Sequence, residues 1–365
     1  MVGVGHVEVA MVGVGHVVVT MVGVGPGGVA MSSSQESYSP RFEVTVGGQT
    51  FKEAGGNVTD LVVETTLDGA DRFSMTLHAV FDREQNTFPG FSWDDFATGT
   101  KVNISLGWGD GSLEPVFVGK IHSYSTTFSP TTISVGVSGY GLLHDMMQGK
   151  KDRSWSKTKV KDVVTEVLSS YFGTVTVEGG GMKRDKIYQH DQSDYRFVQD
   201  LADRYGYRFY TKRNSAFFTP RASMGGTPVA TLRYGAALES FTGEVDEATA
   251  VQKVEVRHWD MQAEKEIVGT ASTDANNKKK EVFRIPCASS DEASTIAQTK
   301  LDSLSQALAQ AHGETDRGVP KLTAGETVSV EDVPSRFTKN YYVTKTTHRI
   351  GGSGYRTTFE ATETP

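Results

Sequence analysis

The chain has 365 residues, enough for two or three modest domains with cores of their own. Asp and Glu outnumber Lys and Arg by 44 to 37, a net charge of −7, which argues against nucleic-acid binding through a general basic surface. A single cysteine, Cys287, excludes an internal disulfide framework and a cysteine-based zinc cage, while 39 glycines favour many short strands and turns over a helical bundle.

Residues 1–30 are tandem copies of one unit, MVGVGHVEVA, MVGVGHVVVT and MVGVGPGGVA. No basic residue precedes Arg41, so the apolar run lacks the charged start of a secretory signal. Recurrent glycine, with His6, His16 and Pro26, argues against a membrane span. The segment has no core-facing pattern and is expected to be a disordered, dispensable tail, with Met31 as the biological start. His6 and His16 are read as incidental, not as metal ligands.

From Arg41 to Gly141 the pattern is strand-like. FEVTVGG, NVTDLVVETTL, DRFSMTLHAVF, KVNISLGW, PVFVGKIHSYSTTF and TTISVGVSGY alternate apolar with polar residues between Gly-Gly, Asp-Gly and Ser-Pro turns. The turn Gly107–Ser112 does not lead into a helix, so it is a hairpin and not a phosphate loop. Six short strands suggest a small antiparallel barrel or sandwich. The middle changes character. Ser156–Ser170 places Val160, Val163, Val164, Val167 and Leu168 on one helical face. After a break at Gly179–Gly181, Ser193 caps a second helix that ends at Gly206, and a hairpin follows. The last third returns to strands, interrupted by the polar loop Asn276–Lys280 and by a helix expected over Ser290–His312. That helix carries a stripe of Ile296, Leu301, Leu304 and Leu308.

Asp191–Tyr210, DQSDYRFVQDLADRYGYRFY, resembles a signature of the phage late control D family. The same family is resembled by Gly318-Val-Pro-Lys-Leu322, Gly325-Glu-Thr-Val328, Tyr341-Tyr-Val343, His348 and Gly354-Tyr-Arg-Thr-Thr-Phe359. The resemblance runs from Arg41 to Glu363. It implies a mainly β fold with an α+β insert, two tube-protein-like antiparallel β-barrels flanking a small α+β module. The expected division is a repeat tail over 1–30, a first barrel over 31–149, the module over 150–221, and a second barrel with the long helix over 222–365. It also implies a baseplate hub of a contractile phage tail or injection particle, a homotrimer joining a sixfold tail tube to a threefold spike. The expected partners are further copies of itself, the tube protein, a separate spike protein and other baseplate proteins. No membrane span and no specific nucleic-acid binding is expected. Such a protein assembles in the cytoplasm and ends in a virion or extracellular particle.

The competing reading is a tail-associated cell-wall hydrolase, which needs two carboxylates facing each other across a cleft. Asp94 and Asp95 are adjacent in an aromatic loop, and Glu331 and Asp332 precede Pro334 in a turn. His258-Trp259-Asp260 and His348 invite a triad, but no nucleophile elbow accompanies them. His348 falls on the family pattern and is expected to fix a strand or a subunit contact by a hydrogen bond. No histidine spacing suits a metal, and Cys287 reads as a small buried residue. The expectation is no catalytic, cofactor-binding or metal-binding residue.

Overall fold

The computed structural model describes residues 7–11, 17–21, 39–53, 58–89, 93–130, 133–220, 225–245, 251–261, 263–273, 279–304 and 309–364. Within the repeat, β1 (Val7–Met11) and β2 (Val17–Met21) pair antiparallel, Val7 opposite Met21. The rest of the expected tail, with His6, His16 and Met31, lies outside the described residues.

Alternation builds the first lobe. Its strands are β3 (Pro40–Val46), β4 (Gln49–Lys52), β5 (Val58–Thr66), β6 (Arg72–His78), β7 (Lys101–Trp108), β8 (Glu114–Phe128) and β9 (Ile133–Gly141). Every second residue turns inward, so Val44, Leu61, Val63, Phe73, Met75, Ile104 and Val137 meet in one core. The strands are neighbours in the order β4-β3-β7-β8-β9-β6-β5, antiparallel throughout.

A short helix, α1 (Leu143–Met147), leads into β10 (Lys151–Lys159) and α2 (Val160–Ser169). The valine stripe of α2 is buried as its spacing predicts. The helix starts at Val160 and not at Ser156, because residues up to Lys159 continue β10 and pair with a later strand. There follow β11 (Thr174–Val177), β12 (Lys183–Gln192), α3 (Asp194–Tyr205), β13 (Tyr207–Lys212) and β14 (Ser215–Pro220). β10 and β12 form a two-stranded ribbon. Helix α3 has the predicted ends: Ser193 Oγ accepts from Arg196 N at 3.2 Å, and Gly206 closes it at φ +75°.

The second lobe begins with β15 (Ala230–Arg233) and β16 (Leu238–Glu244). An excursion follows, of β17 (Lys253–Asp260), β18 (Lys265–Ser272), β19 (Lys280–Arg284) and α4 (Ser290–Leu304). The lobe is completed by β20 (Gln310–Thr315), β21 (Thr327–Glu331), β22 (Lys339–Gly351) and β23 (Gly354–Glu363). Two expectations are corrected here. The long helix stops well short of His312, which lies on β20 between β16 and β23, where Ala311, Gly313 and Thr315 alternate inward. Leu308 is outside the described residues. The helix also does not pack with the second barrel. Its Ala293, Ile296, Ala297 and Leu301 join α2, α3 and β17 in the central core. Gly269 of β18 permits this, since a Cβ there would collide with the α4 backbone at Ala293 and Ser294. Lys280, expected in a solvated loop, opens β19 and pairs with Glu255.

The two lobes share one plan. Five strands run β7-β8-β9-β6-β5 in the first and β21-β22-β23-β20-β16 in the second, in matching chain order and antiparallel at every step. Two bulges recur at equivalent places. One falls at Val58/Asp60 on β5 and at Leu238/Ser240 on β16; the other at Ile121/Ser123 on β8 and at Val343/Lys345 on β22. A sixth strand also corresponds, but β3 runs antiparallel to β7 whereas β15 runs parallel to β21. The lobes are joined edge to edge: the second half of β22 pairs with β5, Lys345 opposite Thr66 through Ile350 opposite Leu61.

Candidate functional site

The Gln192-Ser193-Asp194 turn of the sequence signature is a buried electrostatic knot. Ser193 caps α3 and places Asp194, 1% exposed, at the helix start. Its carboxylate accepts from Lys151 Nζ at 2.7 Å, Tyr171 OH at 2.7 Å and Gln189 Nε2 at 2.9 Å, and from Arg153. Burial alone would raise its pKa. The bonds from Lys151, Tyr171 and Gln189, with the Arg153 charge, outweigh it and hold the carboxyl below the usual range. The knot ties the β10–β12 ribbon to α3, and Trp155 of β10 stacks on Phe197 at 5.4 Å. Three of the four donors to Asp194, Lys151, Arg153 and Tyr171, lie 23 to 43 positions away, and that chain distance hides them from the sequence.

The C-terminal signature forms a second junction, between lobes. His348 is 1% exposed, and its Nδ1 lies 3.0 Å from both Thr357 Oγ1 and Tyr355 OH. Tyr355 stacks on Trp108 of the first lobe, ring centroids 5.3 Å apart, and Trp108 Nε1 donates to Gly318 O at 2.8 Å. Gly318 has no room for a Cβ against the Tyr355 ring. Burial pushes the His348 pKa down to about 4, so the ring is neutral at pH 7. The Leu322 carbonyl offsets part of that effect without a bond of good geometry, and Nε2 has no partner among the described residues. Trp108 carried no signal in the sequence beyond a strand end.

The catalytic candidates are dispersed. Asp94 and Asp95 lie on the short 3-10 turn Trp93–Phe96, where Asp95 accepts from Gln49 and Phe96 is buried as an anchor. Glu331 pairs with Arg233 at 2.8 Å, and Asp332 makes a left-handed turn at φ +60°. Asp260 accepts from the Ala263 amide, closing the turn after β17, and Trp259 is exposed. Cys287 is buried, its Sγ 3.0 Å from Ile285 O, and burial pushes the thiol up to about 11. Among the described residues no group of three or more His, Cys, Asp or Glu could hold a metal ion, and no helix is long and apolar enough to cross a membrane.

What the surface does offer is open sheet edge. Among the described residues the second half of β8, Ser123–Phe128, pairs with β9 alone, because β7 begins at Lys101, opposite Lys120. Tyr124 and Phe128 on this arm are half exposed and touch an aromatic loop: Trp93 lies 5.3 Å from Tyr124, and Phe81 lies 5.2 Å from Phe128. At the far end of the same sheet, Ser240–Glu244 of β16 pairs with β20 alone among the described residues. Neither edge carries Pro or Lys, the usual blocks against strand addition.

Solved structures share this architecture. A 43 kDa tail protein of prophage MuSo2 from Shewanella oneidensis matches with 14% identity over 88% of this chain and 98% of that one, TM-score 0.65. A tail protein from Neisseria meningitidis matches with 15% identity over 89% and 97%, TM-score 0.64. An Escherichia coli component of the type VI secretion system, similar to phage T4 tail proteins, matches with 14% identity over 84% and 73%, TM-score 0.56. At these identities the likeness defines the fold, a β-rich tail-protein fold, and it agrees with the resemblance carried by the sequence signatures. No curated protein sequence matches. The chain belongs to the family of the Alg8 N-terminal domain, whose model matches residues 37–352.

Proposed function

We propose that the protein is the structural hub of a contractile tail or injection particle. In this reading it is a homotrimer that adapts a sixfold tube to a threefold spike supplied by a separate protein. It acts by assembly and not by catalysis, and it ends as a component of the particle. One observation carries the reading: a single chain repeats the same five-strand plan, so three chains present six similar units.

The internal joint supplies a template for the joint between copies. β22 is equivalent to β8 and β5 to β16, with their bulges aligned. Inside the chain β22 pairs with β5; by the same geometry the free half of β8 pairs with β16 of the next copy. Arg349 faces Val62 in the internal joint. The equivalent pair is Thr127 of one copy and Thr242 of the next, with Phe128 against Phe241. The fold of tail proteins, one a component of type VI secretion, supports the setting.

Oxidative cross-linking tests it. Directly opposed strand residues lie about 4.5–5.5 Å apart at Cα, a separation a disulfide spans. Thr127→Cys and Thr242→Cys variants, each alone, should not link; mixed, they should give a disulfide dimer, and the double variant a covalent trimer. Buried Cys287 keeps the background low. A chain that stays monomeric by light scattering, alone and with its spike, would sink the trimer. A trimer without this cross-link would sink only the strand register. Purified protein should also leave peptidoglycan undigested in a turbidity assay.

A further inference from the structure

The β10–β12 ribbon is a strongly basic element in an acidic chain. Segments 150–161 and 183–192 hold nine Lys and Arg against three Asp, whereas the whole chain has 37 against 44. Four of the nine are spent internally. Lys151 and Arg153 serve the Asp194 knot, Lys150 pairs with Asp191, and Arg184 pairs with Glu292. Five remain, Lys157, Lys159, Lys161, Lys183 and Lys186, and none makes an ion pair among the described residues. They gather at one end of the ribbon. Lys159 stands directly opposite Lys183, and Lys186 is opposite Ser156.

This arrangement works against folding in three ways. Like charges opposed across a strand pair repel. Lys159 and Lys161 sit at the positive end of α2, where cations are unfavourable, and Lys159 caps the helix without a side-chain bond. Lys157 holds a left-handed backbone at φ +52°, which suits Asn or Gly better than lysine. One internal contact offsets part of the charge, Lys186 Nζ over the Tyr188 ring at 5.9 Å; the other four lysines have neither an ion-pair nor a ring partner among the described residues.

We propose that this end of the ribbon is a docking surface for a carboxylate-rich segment of a partner protein. The inference is independent of the hub reading. Charge complementarity points to a polyanion, and three features favour acidic protein over nucleic acid. All five cations outside ion pairs are lysines, point charges that suit clustered carboxylates; none is an arginine fork of the kind that grips phosphate in two places. One exposed aromatic accompanies them, Tyr188, whose ring centroid lies 5.9 Å from Lys186 Nζ, whereas a single strand is held by a succession of stacking faces. The chain's net negative charge repels an extended polyanion but tolerates a compact local contact.

The test uses the full chain and a fluorescent 20-residue poly-L-glutamate peptide, read by anisotropy at low and physiological salt. The variant Lys157→Gln/Lys159→Gln/Lys183→Gln/Lys186→Gln should bind at least about tenfold more weakly, and the parent's affinity should fall steeply with salt. A control with Lys52, Lys101, Lys265 and Lys321 changed to Gln alters net charge equally and should bind within about twofold of the parent. The ribbon variant should melt no lower than the parent, because repulsion is removed; if it does not fold, the double variant Lys157→Gln/Lys186→Gln carries the same comparison. Equal loss in the control, unchanged binding in the ribbon variant, or about tenfold tighter binding of an oligothymidylate of matched charge would each overturn the proposal.

Discussion

The two lobes solve one topological problem with different insertions. In the first lobe β5 turns into β6 within a few residues, and the long excursion comes later, between β6 and β7. That excursion stays on the surface as an aromatic loop against the β8 arm. In the second lobe the equivalent of the β5–β6 turn is opened by β17, β18, β19 and α4, which leave the lobe and fill the central core. The same strand plan thus tolerates insertion wherever a hairpin meets solvent, and what is inserted decides what the lobe touches. The shared strands β5 and β22 make the pair one sheet, so the lobes are not separable bodies.

The sharpest break of that comparison is in the cores. Phe73 fills the first lobe and Phe359 the second, both buried. Changing either to Ala should cost about 3–5 kcal/mol. Because the sheet is continuous, both variants should shift one common urea transition followed by circular dichroism. Separate transitions, each sensitive to one variant, would show that the lobes unfold independently.

Next comes pH, where the lobes carry opposite signs. Unfolded His348 gains a proton below about pH 6.5, but folded His348 not until about pH 4. Its contribution is therefore lost as pH falls between these values, by about 3 kcal/mol at most. Asp71 of the first lobe is buried, bonded by the Thr66 amide at 2.9 Å, and burial pushes its carboxyl up to about 7. Folded Asp71 keeps its proton where the unfolded one has lost it, so its contribution is full below about pH 4 and disappears as pH rises toward 7. Urea midpoints measured from pH 4 to 7 should show His348→Gln flattening the acid-side loss and Asp71→Asn removing the loss toward neutrality. Identical pH profiles for both variants and the parent would refute these assignments.

A smaller effect sharpens the contrast between the insertions. Gly269→Ala forces the α4 backbone off β18 and should cost about 1–3 kcal/mol. The smallest is Lys120→Ala, which breaks an exposed pair with Asp145 at 2.6 Å and should change stability by under about 1 kcal/mol. Both are read from the same denaturation curves, and a Gly269→Ala curve matching the parent would mean that α4 shifts without cost.

Local spacing carries six strands of the first lobe, β21, β22 and β23 of the second, and the two amphipathic helices α2 and α3. Period-two burial and the cap residues Ser193 and Gly206 are local, and local spacing decides them. The sequence also carried the signature turn at Asp194 and the pattern position of His348. The tertiary structure alone decided the rest. Nothing near Ala311 in sequence says that its segment is a strand and not the end of a helix; its pairing with β16 and β23 does. Nothing near Ala293 says which core receives α4, since the contact depends on a missing side chain at Gly269 more than twenty positions away. The bonds from Lys151 and Tyr171 to Asp194 and the stack of Trp108 on Tyr355 join residues tens to hundreds of positions apart. Periodicity reports which face of an element is buried; only chain packing selects what it is buried against.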